Sequence, residues 1–251
     1  MTVKVVGYTD YTKNDSYSWW RHVAFPPEKL NMHDHIKGNG IHCPALNNIF
    51  KNTFVIRSPF DLNLSIKKQK DKSWWVEVLP ESSLKSEAFN NLFLINPLEE
   101  QNNEDWPLLQ MHTPFTFISD DDVYIEIMPP LLEYTRLPGI TVSGTYSIYD
   151  WHRQSNWVFE WRDINKKIHI RRGEPLFYVR FNPRDRNDRV KLKELPITDD
   201  IKNAINCDEA KNVMSNMSSL LMIHNGKYRK KRLIKSHLKY MLDRFISRNN
   251  Y

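Results

Sequence analysis

WVFEWRDINKKIHIRRGEPLFYVRF, residues 157–181, decides the fold class. Trp157, Phe159 and Trp161 alternate with Val158, Glu160 and Arg162, the period of two that sends successive side chains to opposite faces of a strand. Asp163 to Lys166 loop back into Ile168 and Ile170, and Arg172-Gly173-Glu174 turns the chain into LFYVRF. The pattern predicts three consecutive strands, a meander.

Upstream the same signal recurs. FVIR (54–57) precedes a Ser58-Pro59 turn, and Leu62, Leu64 and Ile66 then alternate with Asn63, Ser65 and Lys67. After the polar QKDKS (69–73), WWVEVL (74–79) completes a predicted antiparallel hairpin. SSLKSEAFNNLFLI (82–95) reads as a short helix opened by Ser82 or Ser83, and EEQNNED (99–105) as an acidic loop. FTFIS (115–119) and VYIEIM (123–128) are strands around Asp120-Asp121-Asp122, read as a hairpin loop, and Pro129-Pro130 stops the second. At least seven short strands spaced near ten residues predict a mainly β protein, with an antiparallel β-sandwich or jelly-roll body over residues 43–195.

The flanks differ. Residues 1–42 show no steady period of 2 or 3.6 and contain Pro26-Pro27, so they read as an N-terminal arm that Trp19, Trp20 and Phe25 pin to the body. Residues 196–251 change to helical spacing: one helix opens at Thr198, a second at Asp208, and a third spans 227–248 with Leu233, Ile234, Leu238, Met241, Leu242 and Phe245 as its apolar stripe. The prediction is a two- or three-helix C-terminal appendage.

The net charge of +6 is unevenly placed. Residues 227–251 hold nine Lys/Arg against Asp243 alone, a local net of +8, which leaves about −2 for residues 1–226. Lys227, Arg229, Lys230, Lys231, Arg232, Lys235 and Lys239 therefore make a candidate surface for an anionic partner, nucleic acid included. The two cysteines, Cys43 and Cys207, lie too far apart in sequence for a disulfide framework or zinc ribbon. The first twenty residues lack the basic, apolar and small-residue regions of a signal peptide, and no apolar run is long enough to span a bilayer. The expectation is a protein of a reducing interior with no transmembrane segment.

Chemistry-bearing residues are sparse. HDHIKGNGIHC (33–43) holds His33 and His35 at the spacing by which one strand can present two imidazoles to a metal. The glycines and Asn39 that follow make a loop the preferred reading, and any remaining ligands would come from His112, His152 and His169. No His-x-Asp or His-x-Glu occurs, so an iron(II) and 2-oxoglutarate oxygenase, the enzyme alternative, would need atypical ligands such as His169 with Arg171 nearby. Ile168-His169-Ile170 reads more simply as a strand with an outward imidazole. No Gly-x-Ser-x-Gly elbow or phosphate-binding glycine loop is present, and Cys43 reads as a small buried residue before Pro44. Trp157, Phe159 and Trp161 read as core, whereas Trp151 with Arg153, and Arg171 with Arg172, are candidates for ligand or partner recognition.

Four islands carry a resemblance: CPALNNIFKNTFVIRSPFDL (43–62), IMPPLLEY (127–134), YDWHRQSNWVFEW (149–161) and RRGEPLFYVRF (171–181). In this order they resemble an uncharacterised family of β-rich proteins encoded by tailed bacteriophages, notably those of marine cyanobacteria, with distant bacterial relatives. The resemblance covers about residues 40–185 and brings no catalytic residue with it. It implies a viral accessory or virion-associated protein, in the host cytoplasm or the particle. Such a protein would act without catalysis, binding a host or phage protein or assembling into an oligomer, with no cofactor expected.

Overall fold

The computed structural model describes residues 2–10, 22–32, 43–71, 73–95, 106–132, 137–213 and 234, with the backbone alone for 207–213. It is mainly β, 47% strand against 15% helix, with curled sheets. Among the described residues the strands form three sheets. The largest runs β14 (Arg189–Glu194), β1 (Val3–Thr9), β7 (Leu108–Ser119), β11 (Gln154–Trp161), β9 (Gly139–Thr141), with β6 (Phe93–Ile95) also on β7. The second runs β10 (Gly144–Ser147), β8 (Val123–Met128), β13 (Pro175–Pro183), β3 (Thr53–Arg57), β2 (Glu28–Lys29). The third is β12 (Ile168–Ile170), β4 (Leu62–Lys68), β5 (Trp74–Val78).

Residues 157–181 do contain three strands, but they are not a meander. β11 joins the first sheet, β12 the third and β13 the second. Alternation dictates which side chains face inward and is silent about which strand takes the backbone hydrogen bonds. The turns explain the divergence. The amides of Arg162 and Asp163 both donate to Pro138 O, and the 171–174 turn is tied to the end of β3 in the second sheet, with Gly173 N donating to Ser58 O and Ser58 N to Glu174 O. Gly173 takes φ +87°, a conformation that a side chain would strain. The Asp120 to Asp122 segment likewise closes no hairpin, since it carries the chain from β7 in one sheet to β8 in another.

What unites the sheets is a shared interior. One cluster of buried side chains draws Val6, Phe117, Trp157, Phe159 and Trp161 from the first sheet, Ile125, Val179 and Phe181 from the second, and Leu62, Leu64 and Ile168 from the third. Phe117 meets Phe181 edge-on at 5.2 Å between ring centres, a contact between the first two sheets. The Trp157 and Trp161 indoles keep their N–H groups paired: Trp157 Nε1 donates to Thr141 Oγ1 at 3.0 Å, and Trp161 Nε1 to the carbonyls of Asp163 and Lys166. The predicted hairpin stands, β4 pairing antiparallel with β5 from Leu64 opposite Val78 to Lys68 opposite Trp74.

The N-terminal segment differs most from expectation. Val3–Thr9, read as part of an arm, is a strand inside the largest sheet, antiparallel to β7 and parallel to β14. The parallel pair corrects the all-antiparallel reading. Val6 faces the shared interior, while neighbouring Gly7 lies beneath Leu195, whose side chain occupies the space a Cβ at Gly7 would need. Both faces of β1 are covered, which removes the alternation that would have announced it. At the strand's start the carboxylate of Asp188 accepts the Thr2 backbone N–H at 2.7 Å, and that bond holds its pKa below the ordinary value.

Helix α3 (Asp199–Val213) makes the outer cover. Thr198 Oγ1 accepts the Ile201 N–H at 3.3 Å, with Asp199 and Asp200 in the first turn favoured by the helix dipole. Ile201, Ala204 and Ile205 bury against Ile118, Leu195 and Ile234, and the Ile234 N–H donates to Asp120 Oδ1. The helix runs unbroken past Asp208, where a second had been expected to open. The rest of the expected appendage, 214–233 and 235–251, lies outside the described residues, as do Trp19, Trp20 and the 99–105 loop.

Two short helices complete the body. In α2 (Ser86–Leu92) the cap is Lys85, not Ser82 or Ser83, whose hydroxyls serve the backbone at Asn63 and Asp61 instead. α1 (Pro44–Phe50) opens on Pro44, suited to a first turn that needs no N–H partner there. Cys43 caps it half-buried, so it is not the enclosed side chain the sequence suggested.

Candidate functional site

The histidines fall in separate places. His33 and His35 lie outside the described residues. His112 is half-buried on β7 opposite Asn156, His152 is buried just before β11, and His169 is exposed on β12, where Nδ1 contacts Oδ1 of Asn63 on the paired strand. Among the described residues no group of three or more His, Cys, Asp or Glu is placed to hold a metal ion.

His112 has a measurable consequence. Burial pushes its pKa below the ordinary imidazole value of about 6.5, and the facing Asn156 side chain opposes this in part. The unfolded chain therefore binds the proton more readily, so the stabilisation due to neutral His112 is complete above 6.5 and is lost as pH falls below it. Thermal melting between pH 7 and pH 5 should show a steeper loss for wild type than for His112→Gln; parallel curves would remove the assignment.

Of the recognition candidates, Trp151 and Arg153 do come together. The Arg153 guanidinium lies 4.7 Å from the Trp151 ring centre and 5.7 Å from that of Tyr146, whose hydroxyl bonds Ser155 Oγ at 3.0 Å. The two aromatic side chains and the cation form a half-buried cluster, the Tyr146 and Trp151 rings meeting edge-on at 5.7 Å. Arg171 and Arg172 sit elsewhere and have structural duties. The Arg171 amide donates to Glu174, while Arg172 donates to Pro59 O and Asp61 and lays its guanidinium over Phe25, holding that ring to the body. The seven cations Lys227 to Lys239 lie outside the described residues.

One concavity was not foreseen. A groove of about 580 Å³ opens between the end of α1 and the end of β13, lined by Asn48, Lys51, Arg180, Asn182, Arg184 and Arg186 among others, with no carboxylate in its wall among the described residues. Lys51 Nζ donates to the carbonyls of Arg186 and Asn187, clamping the 184–187 turn to α1. Arg180 is held by Glu126, which also accepts from Asn182 Nδ2 at 3.1 Å. Arg184 and Arg186 make no ion pair among the described residues. Chemically the groove offers many N–H donors and positive charge, and no general base. Its sequence trace is NPRDRND (182–188), in which two arginines stand beside two aspartates.

The edges of the largest sheet contrast with one another. β14 carries Arg189, Lys191, Lys193 and Glu194, charges that discourage a further strand. β9, the last strand on the other side among the described residues, carries none, and Ile140 within it (43% exposed) and Val142 just after it (36%) are exposed. Leu94 and Trp106, also exposed, lie at the same end of the sheet, the latter under the Arg162 guanidinium.

No family model matches the chain, and a search of curated proteins finds no match. Among the described residues no helix is long and apolar enough to cross a membrane.

Proposed function

We propose that the protein acts by binding and assembly, not by catalysis, as an accessory or virion-associated protein of the kind tailed phages encode, working in the host cytoplasm or the particle. Its body is on this reading a β-sandwich of jelly-roll type, with a basic helical C-terminal segment. The observation that carries the proposal is the division between inside and outside. The interior is filled by Trp157, Phe159, Trp161, Phe117 and Phe181, none more than 1% exposed, so contact with other molecules falls to the exterior. There the uncharged edge strand β9 is complementary to a second copy of itself: two such strands meeting antiparallel about a two-fold axis would continue the largest sheet and cover Ile140 and Val142. The resemblance of residues 43–181 to phage proteins supports the viral setting.

Light scattering during size-exclusion chromatography tests this. The wild type is expected as a dimer or larger, and the Ile140→Lys, Val142→Lys double variant as a monomer with an unchanged melting temperature. A wild-type monomer at every concentration, or an oligomer indifferent to the two lysines, defeats the proposal.

A further inference from the structure

The groove between α1 and β13 lies on a surface that the assembly reading does not use, and it has its own chemistry. We infer that it binds phosphate groups, carried either by a nucleic-acid strand or by a free polyphosphate. Among the described residues four cations, Lys51, Arg180, Arg184 and Arg186, line a volume of about 580 Å³ with four asparagines and no carboxylate. Arg180 is neutralised by Glu126, which leaves Lys51, Arg184 and Arg186 without an acidic partner among the described residues. Three like charges held in one concavity repel one another unless an anion answers them.

The field extends beyond the wall. Lys29 Nζ donates to the Lys51 carbonyl, and Arg189 is close enough to act on it. The Lys29 pKa is pushed down by burial, then by Arg189 and Lys51, the signature of crowded cations. On the other side of Arg184 the sign reverses, where Asp121, Asp122, Asp185 and Asp188 line a neighbouring groove with Lys4. An anionic chain seated in the basic groove would leave past Lys51 toward Lys29, because the exit past Arg184 is closed to it by charge.

Phosphate fits better than a run of acidic side chains. A phosphate presents several acceptor oxygens on one centre, so a single group can take hydrogen bonds from guanidinium, ammonium and amide donors converging in a small space. A peptide spreads single carboxylates along a neutral backbone. Among the described residues the only aromatic ring in the wall, Phe181, is 1% exposed, so they offer no platform for stacking bases. Recognition would therefore be independent of nucleotide sequence.

The test uses the full chain with three probes: a fluorescent mixed-sequence 12-nucleotide single strand followed by anisotropy, tripolyphosphate by calorimetry, and poly-glutamate as competitor. Arg184→Glu with Arg186→Glu is compared with Lys230→Gln with Lys231→Gln, which weakens the basic C-terminal segment and leaves the groove intact. For a nucleic-acid strand the groove variant should lose at least tenfold in affinity. Its slope of log affinity against log salt should be smaller by about 1.4, about 0.7 for each phosphate contact removed. Tripolyphosphate binding that the groove variant abolishes, without affinity for the strand, assigns the site to free polyphosphate. An unchanged salt slope together with unaltered tripolyphosphate binding in the groove variant overturns the inference, as does poly-glutamate displacing either ligand as well as tripolyphosphate does. Both arginines are exposed, so folding is not at stake; Arg186→Gln, removing one contact, should show about half the change in slope. Dimerisation through β9 can fail while the groove still binds, and the reverse, so the two readings are separable.

Discussion

Trp157→Ala is expected to destabilise the protein by about 3–5 kcal/mol, the range for deleting a large aromatic side chain from a closed core. The indole is fully buried, packs 5.3 Å from Phe159 between ring centres, and spends its N–H on Thr141 in the neighbouring strand. Its removal therefore leaves a cavity where β7, β11 and β9 meet and strands the Thr141 hydroxyl. For a chain of this size that corresponds to a melting temperature lower by roughly 6–20 °C. Trp75→Ala makes the control: that ring is 51% exposed on β5, and its loss should stay within about 0.5 kcal/mol. Equal losses for the two tryptophans would mean that the burial assigned to the first sheet is wrong.

Asn52→Ala should cost about 2–4 kcal/mol, although the side chain is small. The amide is 5% exposed and joins two distant segments, Nδ2 donating to Asp188 O at 3.2 Å and Oδ1 accepting the Val190 N–H at 3.0 Å. Truncation leaves one buried carbonyl and one buried N–H without partners, at about 1–3 kcal/mol each. Asn52 also accepts the Phe181 amide through its own carbonyl, so it ties the α1–β3 turn to β13 and β14 together. Asn48→Ala, an exposed amide in the wall of the same groove, should be nearly neutral in urea unfolding. A neutral Asn52→Ala would show that the turn between β13 and β14 closes without it.

The predictions that survived contact with the structure rest on local chemistry. Leu62, Leu64 and Ile66 face inward from β4 as their alternation requires, the β4–β5 hairpin forms, Trp157, Phe159 and Trp161 are core, and Thr198 opens its helix. Pairing was another matter. Each of β11, β12 and β13 has a readable inward face, and nothing along 157–181 says that their hydrogen bonds go to β7, β4 and β3 or β8. β1 was missed because a strand covered on both faces has no period, and α1 because PALNNIF has too few apolar positions to show one. The groove could not be read at all. Its two walls lie about 130 residues apart, and Asp185 balances the arginines in sequence while its carboxylate faces the neighbouring groove in space.

The pairing of β1 with β14 also dictates an order of events during synthesis. Val3 through Tyr8 leave the ribosome more than 180 residues ahead of their parallel partners, Arg189 through Glu194. β7, the antiparallel neighbour, is made first, and at about 5–20 residues per second the other side of the strand waits roughly 10–40 s for β14. Throughout that interval VKVVGYT is a short apolar strand with one free side in a growing chain, so the nascent protein depends on β7 or a chaperone to keep it from pairing elsewhere.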